Sequence, residues 1–130
     1  MKQEDKELLL QDLCGRLPYG VKGCFQNSDD KLLRSVTITH GNLKPNGMVM
    51  TGDIKPYLFP IYSMKEAIKD EIYQETGLYD IFKDNQIHIE VGTTFADVCK
   101  LFNILNKHHL DYNGFIPRGW AEDATGLNIY

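Results

Sequence analysis

The sequence predicts an α+β fold: a small antiparallel sheet, able to curl into an SH3-like or partly open barrel, packed by about three helices. Three observations carry that expectation. Apolar residues recur with a helical period in three stretches, near residues 4–17, 63–77 and 94–107. Between them, short runs alternate with a period of two and are punctuated by Gly, Pro and Asn, the pattern of short strands joined by tight turns. The chain has 130 residues, 42% of them apolar and 25% charged, which suits one domain with a real core and is too short for two.

In the first helical stretch Leu10, Leu13, Cys14 and Leu17 stand at i, i+3, i+4 and i+7, a single apolar stripe, with Glu7, Gln11 and Asp12 on the polar side. Pro18 and Gly20 end it. On that stripe Cys14 reads as a small core residue rather than a nucleophile, since no histidine lies near it in sequence to activate it. Val21 to Gln26 is a short strand and Asn27 to Asp30 a polar turn. Leu32 to His40 then alternates, with Leu32, Val36 and Ile38 on one face, and Met48 to Thr51 offers a third strand after the turn signals at 41–42 and 45–47. Proline cannot donate to a ladder, so Ile54 to Pro60 reads as an edge strand or a polyproline-like crossing. Tyr57 and Phe59 within it serve either the core or an exposed recognition patch.

Ser63 and Glu66 have capping-box spacing and predict a helix whose stripe is Met64, Ala67, Ile68 and Ile72, closed by Gly77, with Glu71 beside the stripe marking a shallow groove. Ile87, Ile89 and Val91 alternate with outward His88 and Glu90 in a half-buried strand. Thr94 and Asp97 cap the next helix, whose stripe reads Phe95, Val98, Cys99, Phe102 and Leu105.

A formal charge of -4 without a basic run argues against nucleic acid; Lys22, Lys31 and Arg34 around one hairpin are the weak exception. Three widely spaced cysteines in apolar segments read as reduced, buried thiols. With no apolar run of membrane-spanning length and no secretory pattern near Met1, the expected setting is cytoplasmic, away from membranes. Reactive side chains are densest from Lys107 to Gly114. There His108, His109 and Asp111 are weak metal candidates, because adjacent histidines on a helix diverge and the set falls short without Glu90, His88 or Cys99. The plainer reading puts both histidines at a helix C-terminus, meeting its dipole, with His109 in polar contact with Asn106. Phe115, Ile116 and Trp120 lie on a Gly- and Pro-punctuated tail that docks either on its own domain or on another protein. The chain carries no cofactor motif, and no cofactor is expected.

The segment 8–22, LLLQDLCGRLPYGVK, resembles a family of small uncharacterised proteins from gut anaerobic bacteria and their phages or mobile elements. The resemblance recurs at 54–60, at Ser63-Met64 and at 105–116. It implies a setting and no mechanism. The expected function is therefore a non-enzymatic interaction module that binds a protein partner or forms a homo-oligomer, with Tyr57, Phe59, Tyr112, Phe115 and Trp120 as contacts. Two alternatives stand beside it: a small metal-dependent hydrolase using His108, His109 and Asp111, and a weak nucleic-acid-binding module.

Overall fold

In a computed structural model, which describes residues 1–26, 35–84 and 86–130, helix α1 (Gln3–Arg16) buries Leu9, Asp12, Leu13 and Arg16. That stripe is rotated from the expected one: Leu10 and Cys14 are exposed, and Asp12 points inward. The rotation follows from Arg16. Its Nε donates to Asp12 Oδ1 at 2.6 Å, and its Nη2 donates to the carbonyl of Leu110 at 2.6 Å, so the C-terminal half of α1 docks by a buried ion pair rather than by Leu10 and Cys14. Gly15 lets the helix approach α3 closely, since a Cβ there would meet Asn106 Nδ2 at 2.8 Å. As expected, α1 stops at a short 3-10 turn, Leu17–Tyr19, and at Gly20 with φ 71°.

The sheet is mixed rather than antiparallel. Strands β1 (Lys22–Phe25), β2 (Ser35–Thr37), β3 (Ile54–Leu58) and, late in the chain, β6 (Glu122–Asp123) lie in the order β2-β1-β3-β6, with β3 and β6 parallel. The described strands form no closed barrel. The segment expected at an edge, β3, is central, and its proline is accommodated by register. Gln26 N–H donates to Asp53, so ladder alternation makes Gly23–Pro56 a non-hydrogen-bonded pair. The imide nitrogen of Pro56 thus faces away from β1, where pairing with β6 begins only at Tyr57–Glu122. Met48 to Thr51 is a turn and not a strand, its Met48 carbonyl accepting from Ile54 N–H. The expected turn 27–30, Leu32, Lys31, Arg34 and Asn85 lie outside the described residues.

Helix α2 (Glu66–Thr76) starts later than the capping box predicts, because the Ser63 hydroxyl donates to the Pro60 carbonyl at 2.7 Å inside a 3-10 turn. Gly77 ends it at φ 73° as expected. A two-stranded ladder follows, β4 (Phe82–Lys83) with β5 (Gln86–Ile87); His88 and Glu90 are exposed, and so is Val91, which was expected inward. Helix α3 (Phe95–Lys107) has the predicted cap, Thr94 accepting from Asp97 N–H at 3.2 Å. Its buried face is Leu101, Ile104 and Leu105, while Phe95 and Cys99 are exposed. Two of the three thiols are therefore at the surface and only Cys24 is buried.

Two main apolar clusters result. One joins α1 to the sheet through Leu9, Leu13, Ile54, Leu58 and Phe115, and the other lies between α2 and α3 around Ile72, Leu101, Leu105 and Leu110. They meet where the chain beyond β3 pairs with the end of α3: Phe59 N–H donates to His109, and Asp111 N–H donates back to Phe59, both at 2.8 Å.

Candidate functional site

The end of α3 is built by its last carbonyls. The N–H of Leu110 donates to Leu105 and that of His109 to Asn106, while His109 takes φ 59°; together these form a Schellman motif with His109 in the left-handed position. Glycine usually sits there, and a side chain held in that conformation costs ~1–3 kcal/mol. The apolar contact of the motif is Leu105 with Leu110, both in the second cluster. His109 touches Asn106 through its backbone only; the Asn106 side chain instead accepts from the Tyr112 hydroxyl at 2.7 Å.

The cap sends the two histidines apart. His108 Nε2 lies 2.9 Å from Glu71 Oε1, and Lys107 bonds the other oxygen of that carboxylate. The Lys107 contact, more than burial opposes it, holds the Glu71 carboxyl below its ordinary range. The His109 imidazole instead stacks on Tyr130, ring centroids 3.7 Å apart and planes 14° from parallel. It is 5% exposed, and its Nδ1 is buried with no hydrogen-bond partner. Burial first, then the charges of Arg16, His108 and Lys22, push its pKa down to about 4, so the ring is neutral near pH 7. Tyr130 is held in turn: its hydroxyl donates to the Tyr57 carbonyl at 2.7 Å and accepts from Lys22 N–H at 2.9 Å.

Asp111 goes a third way. Its oxygens accept from the backbone amides of Phe115 and Ile116 at 2.8 and 2.9 Å, pinning the tail, although burial pushes its pKa up. His108, His109 and Asp111 therefore do not converge, and no group of three or more His, Cys, Asp or Glu among the described residues is placed to hold a metal ion. Of the hairpin cations only Lys22 is described, and its Nζ donates to the Ile129 carbonyl.

The expected aromatic contacts divide by burial. Phe115 is fully buried in the first cluster and Tyr57 is 7% exposed, so neither presents a surface. Trp120 is half-buried against Phe115 with the Arg118 guanidinium over its ring, and Tyr112 is half-buried between Phe102 and Arg16. The tail thus docks on its own chain. Trp120 borders an open cleft of about 340 Å³ beside Leu9, Val49 and Ile54, and Phe59 lines a separate open groove of about 410 Å³. Met64 and Ile68 at the start of α2, Leu110, Tyr130 and His109 complete its walls, and Lys65 and Lys107 stand among its lining residues. Met64, Ala67 and Ile68 of the expected α2 stripe line it, whereas Glu71, which marked a groove in the sequence, does not. Tyr130 and Lys65 were missed, because only the fold brings residue 130 back across β1 and β3.

The fold and site define an α+β protein with an apolar groove bordered by cations. The chain matches no protein-family model, no curated protein and no solved structure. No helix among the described residues is long and apolar enough to cross a membrane.

Proposed function

We propose that the protein is a non-enzymatic interaction module that binds a partner protein through the groove between the start of α2 and the end of α3. The observation that carries the reading is a division of labour around the groove. Its walls present Phe59, Met64 and Ile68, whereas the acid–base groups beside it are engaged in holding the fold: Glu71 by Lys107 and His108, Asp111 by two backbone amides. A hydrolase would need a nucleophile or metal within reach of a free base, and His108, His109 and Asp111 each answer to a different group. The three free cysteines agree with a reducing cytoplasm, and the resemblance at 8–22 and 105–116 supports a setting in gut anaerobes and their phages or mobile elements.

Ile68 is half-buried, so Ile68→Glu places a charge on the groove wall. Cross-linked capture from an anaerobe lysate, run with wild type and Ile68→Glu, is expected to give a protein held by the first and lost from the second. Equal capture by both, with the variant folded by circular dichroism, overturns the reading. Light scattering across a concentration series decides whether the partner is a second copy.

A further inference from the structure

A further cleft, of about 330 Å³, opens on the other side of α2 and shares no lining residue with the groove. One wall is the face of the helix that carries Glu66, Lys69, Asp70 and Tyr73 at i, i+3, i+4 and i+7. The other is the segment 78–82, which Gly77, at φ 73°, turns back beside the helix. That wall is held at both ends. Leu78 N–H donates to Thr76 Oγ1 at 3.1 Å, and the Ile81 carbonyl accepts from His88 N–H at 2.7 Å. Ile72 and Ile81, both buried, give the cleft an apolar floor.

Burial accounts for the floor and not for the rings above it. Tyr73 and Tyr79 are 51% and 76% exposed, yet they pack against each other, centroids 6.1 Å apart and planes at 73°. Rings at that angle form two sides of a corner, where a parallel stack would hide one face of each. Phe82, half-buried, lines the same space. The face of an aromatic ring is the negative pole of its quadrupole and attracts an ammonium group within about 6 Å of the centroid. Fixed charge has the same sign here. Lys69 is paired with Glu66 at 3.3 Å, whereas Asp70 and Asp80 make no ion pair among the described residues. Carboxylates by themselves draw any cation. The rings select an organic one, because calcium and magnesium take oxygen ligands and gain nothing from an apolar corner.

We propose that this cleft binds an organic cation, an alkylammonium group seated in the corner of Tyr73 and Tyr79. The apolar groups around the charge rest on Ile72 and Ile81, and Asp70 and Asp80 balance it. A volume of about 330 Å³ is at the small end for a ligand site and suits one such group rather than a folded element. The group belongs either to a free amine or to a lysine side chain, methylated or not, of another protein.

The test is a titration of the full chain followed by NMR at the tyrosine rings and at the backbone amides of residues 78–82. Choline is compared with neohexyl alcohol, which has its shape without its charge. Choline is expected to shift the Tyr73 and Tyr79 resonances saturably and to bind about tenfold tighter than the alcohol, a ratio within the range of a cation–π contact. Tyr79→Leu and, separately, Tyr73→Leu should each weaken choline severalfold while the protein stays folded by circular dichroism. Asp80 has φ 56°, a conformation that asparagine tolerates, so Asp80→Asn should weaken choline by a factor that shrinks as salt is added. Ile68→Glu, on the far side of the helix, should leave the titration unchanged, which separates this site from the groove. Equal binding of choline and the alcohol overturns the proposal, and so does choline binding that neither tyrosine substitution alters. Calcium giving the same saturable shifts at lower concentration overturns it as well, since the carboxylates alone would then account for the site. Acetyl-lysine amide (acetylated at its α-nitrogen) and its trimethylated form, run beside choline, assign the source: tighter binding of either supports a protein side chain, and tighter binding of choline supports a free amine. No saturable shift with any of these cations overturns the site outright.

Discussion

His109 is the residue at which three demands meet. It ends α3 in a conformation that glycine adopts freely, stacks on Tyr130, and keeps a buried ring nitrogen that no group among the described residues satisfies. Its burial also sets a pH dependence. The unfolded chain takes up a proton at this ring near pH 6.5, and the folded chain only near pH 4, so protonation favours unfolding. Stability is complete above pH 6.5, falls as the pH drops toward 4, and levels off below that, by roughly 3 kcal/mol for this one group. Asp111 works against this trend, because burial raises its carboxyl and acid therefore favours the folded form. The clean measurement is a difference. His109→Asn keeps a residue that tolerates the left-handed conformation, and urea titrations at pH 7, 5.5 and 4 should show its stability falling less with acid than that of wild type. Parallel pH curves for the two proteins would show that His109 does not titrate as the geometry requires.

At the scale of elements, α1 turns on the pair Asp12–Arg16, which also receives Asn113 Nδ2 on the Asp12 carboxylate at 2.8 Å. Both side chains are wholly buried. Removing one partner strands the other charge away from water, so Arg16→Met should cost ~3–5 kcal/mol, whereas Asp12→Leu combined with Arg16→Met should cost much less than the two singles together. Chemical denaturation of the four proteins gives the cycle, and additive losses would mean that the two charges act independently. The same pair explains what could be read from the sequence. The existence of α1 and α3, the Thr94 cap, and the stops at Gly20 and Gly77 depend on local chemistry and are legible. Which face of a helix turns inward is not local. The stripe Leu9, Asp12, Leu13, Arg16 has the same spacing as Leu10, Leu13, Cys14, Leu17, and distant partners, the Leu110 carbonyl and the Asn113 amide, favour the first. Likewise Pro56 sits in a central strand because the partner strand on its nitrogen side starts one residue later, which no property of Pro56 announces. The groove was half legible for the same reason: the α2 stripe of Met64, Ala67 and Ile68 supplies one wall locally, while Tyr130 enters it only through tertiary contacts.

The described residues hold two main apolar clusters and a small third one around Cys24, Tyr57 and Ala124, and the question at this scale is whether the two main ones melt as one. Each alone is small: the first holds α1 to the sheet, the second holds α2 to α3. Their junction, however, is buried and polar. Arg16 of the first cluster's helix donates to Leu110 of the second, Phe59 N–H donates to His109 while Asp111 N–H donates back to Phe59, and the Asp111 carboxylate accepts from the amides of Phe115 and Ile116, which return the chain to the first cluster. Opening either cluster alone would expose an arginine, an aspartate and several amides that the other satisfies, each at a cost of ~1–3 kcal/mol, which exceeds what a small cluster gains by persisting. Unfolding is therefore expected to be a single transition. Trp120, the one tryptophan, packs on the first cluster and reports it by fluorescence, while amide exchange at Leu101 and Leu105 reports the second. The two probes should give the same midpoint in urea and the same opening free energy. Loss of α3 protection at urea concentrations where Trp120 fluorescence is still native would show that the junction does not couple the clusters, and in Arg16→Met that separation of the two midpoints is the expected result.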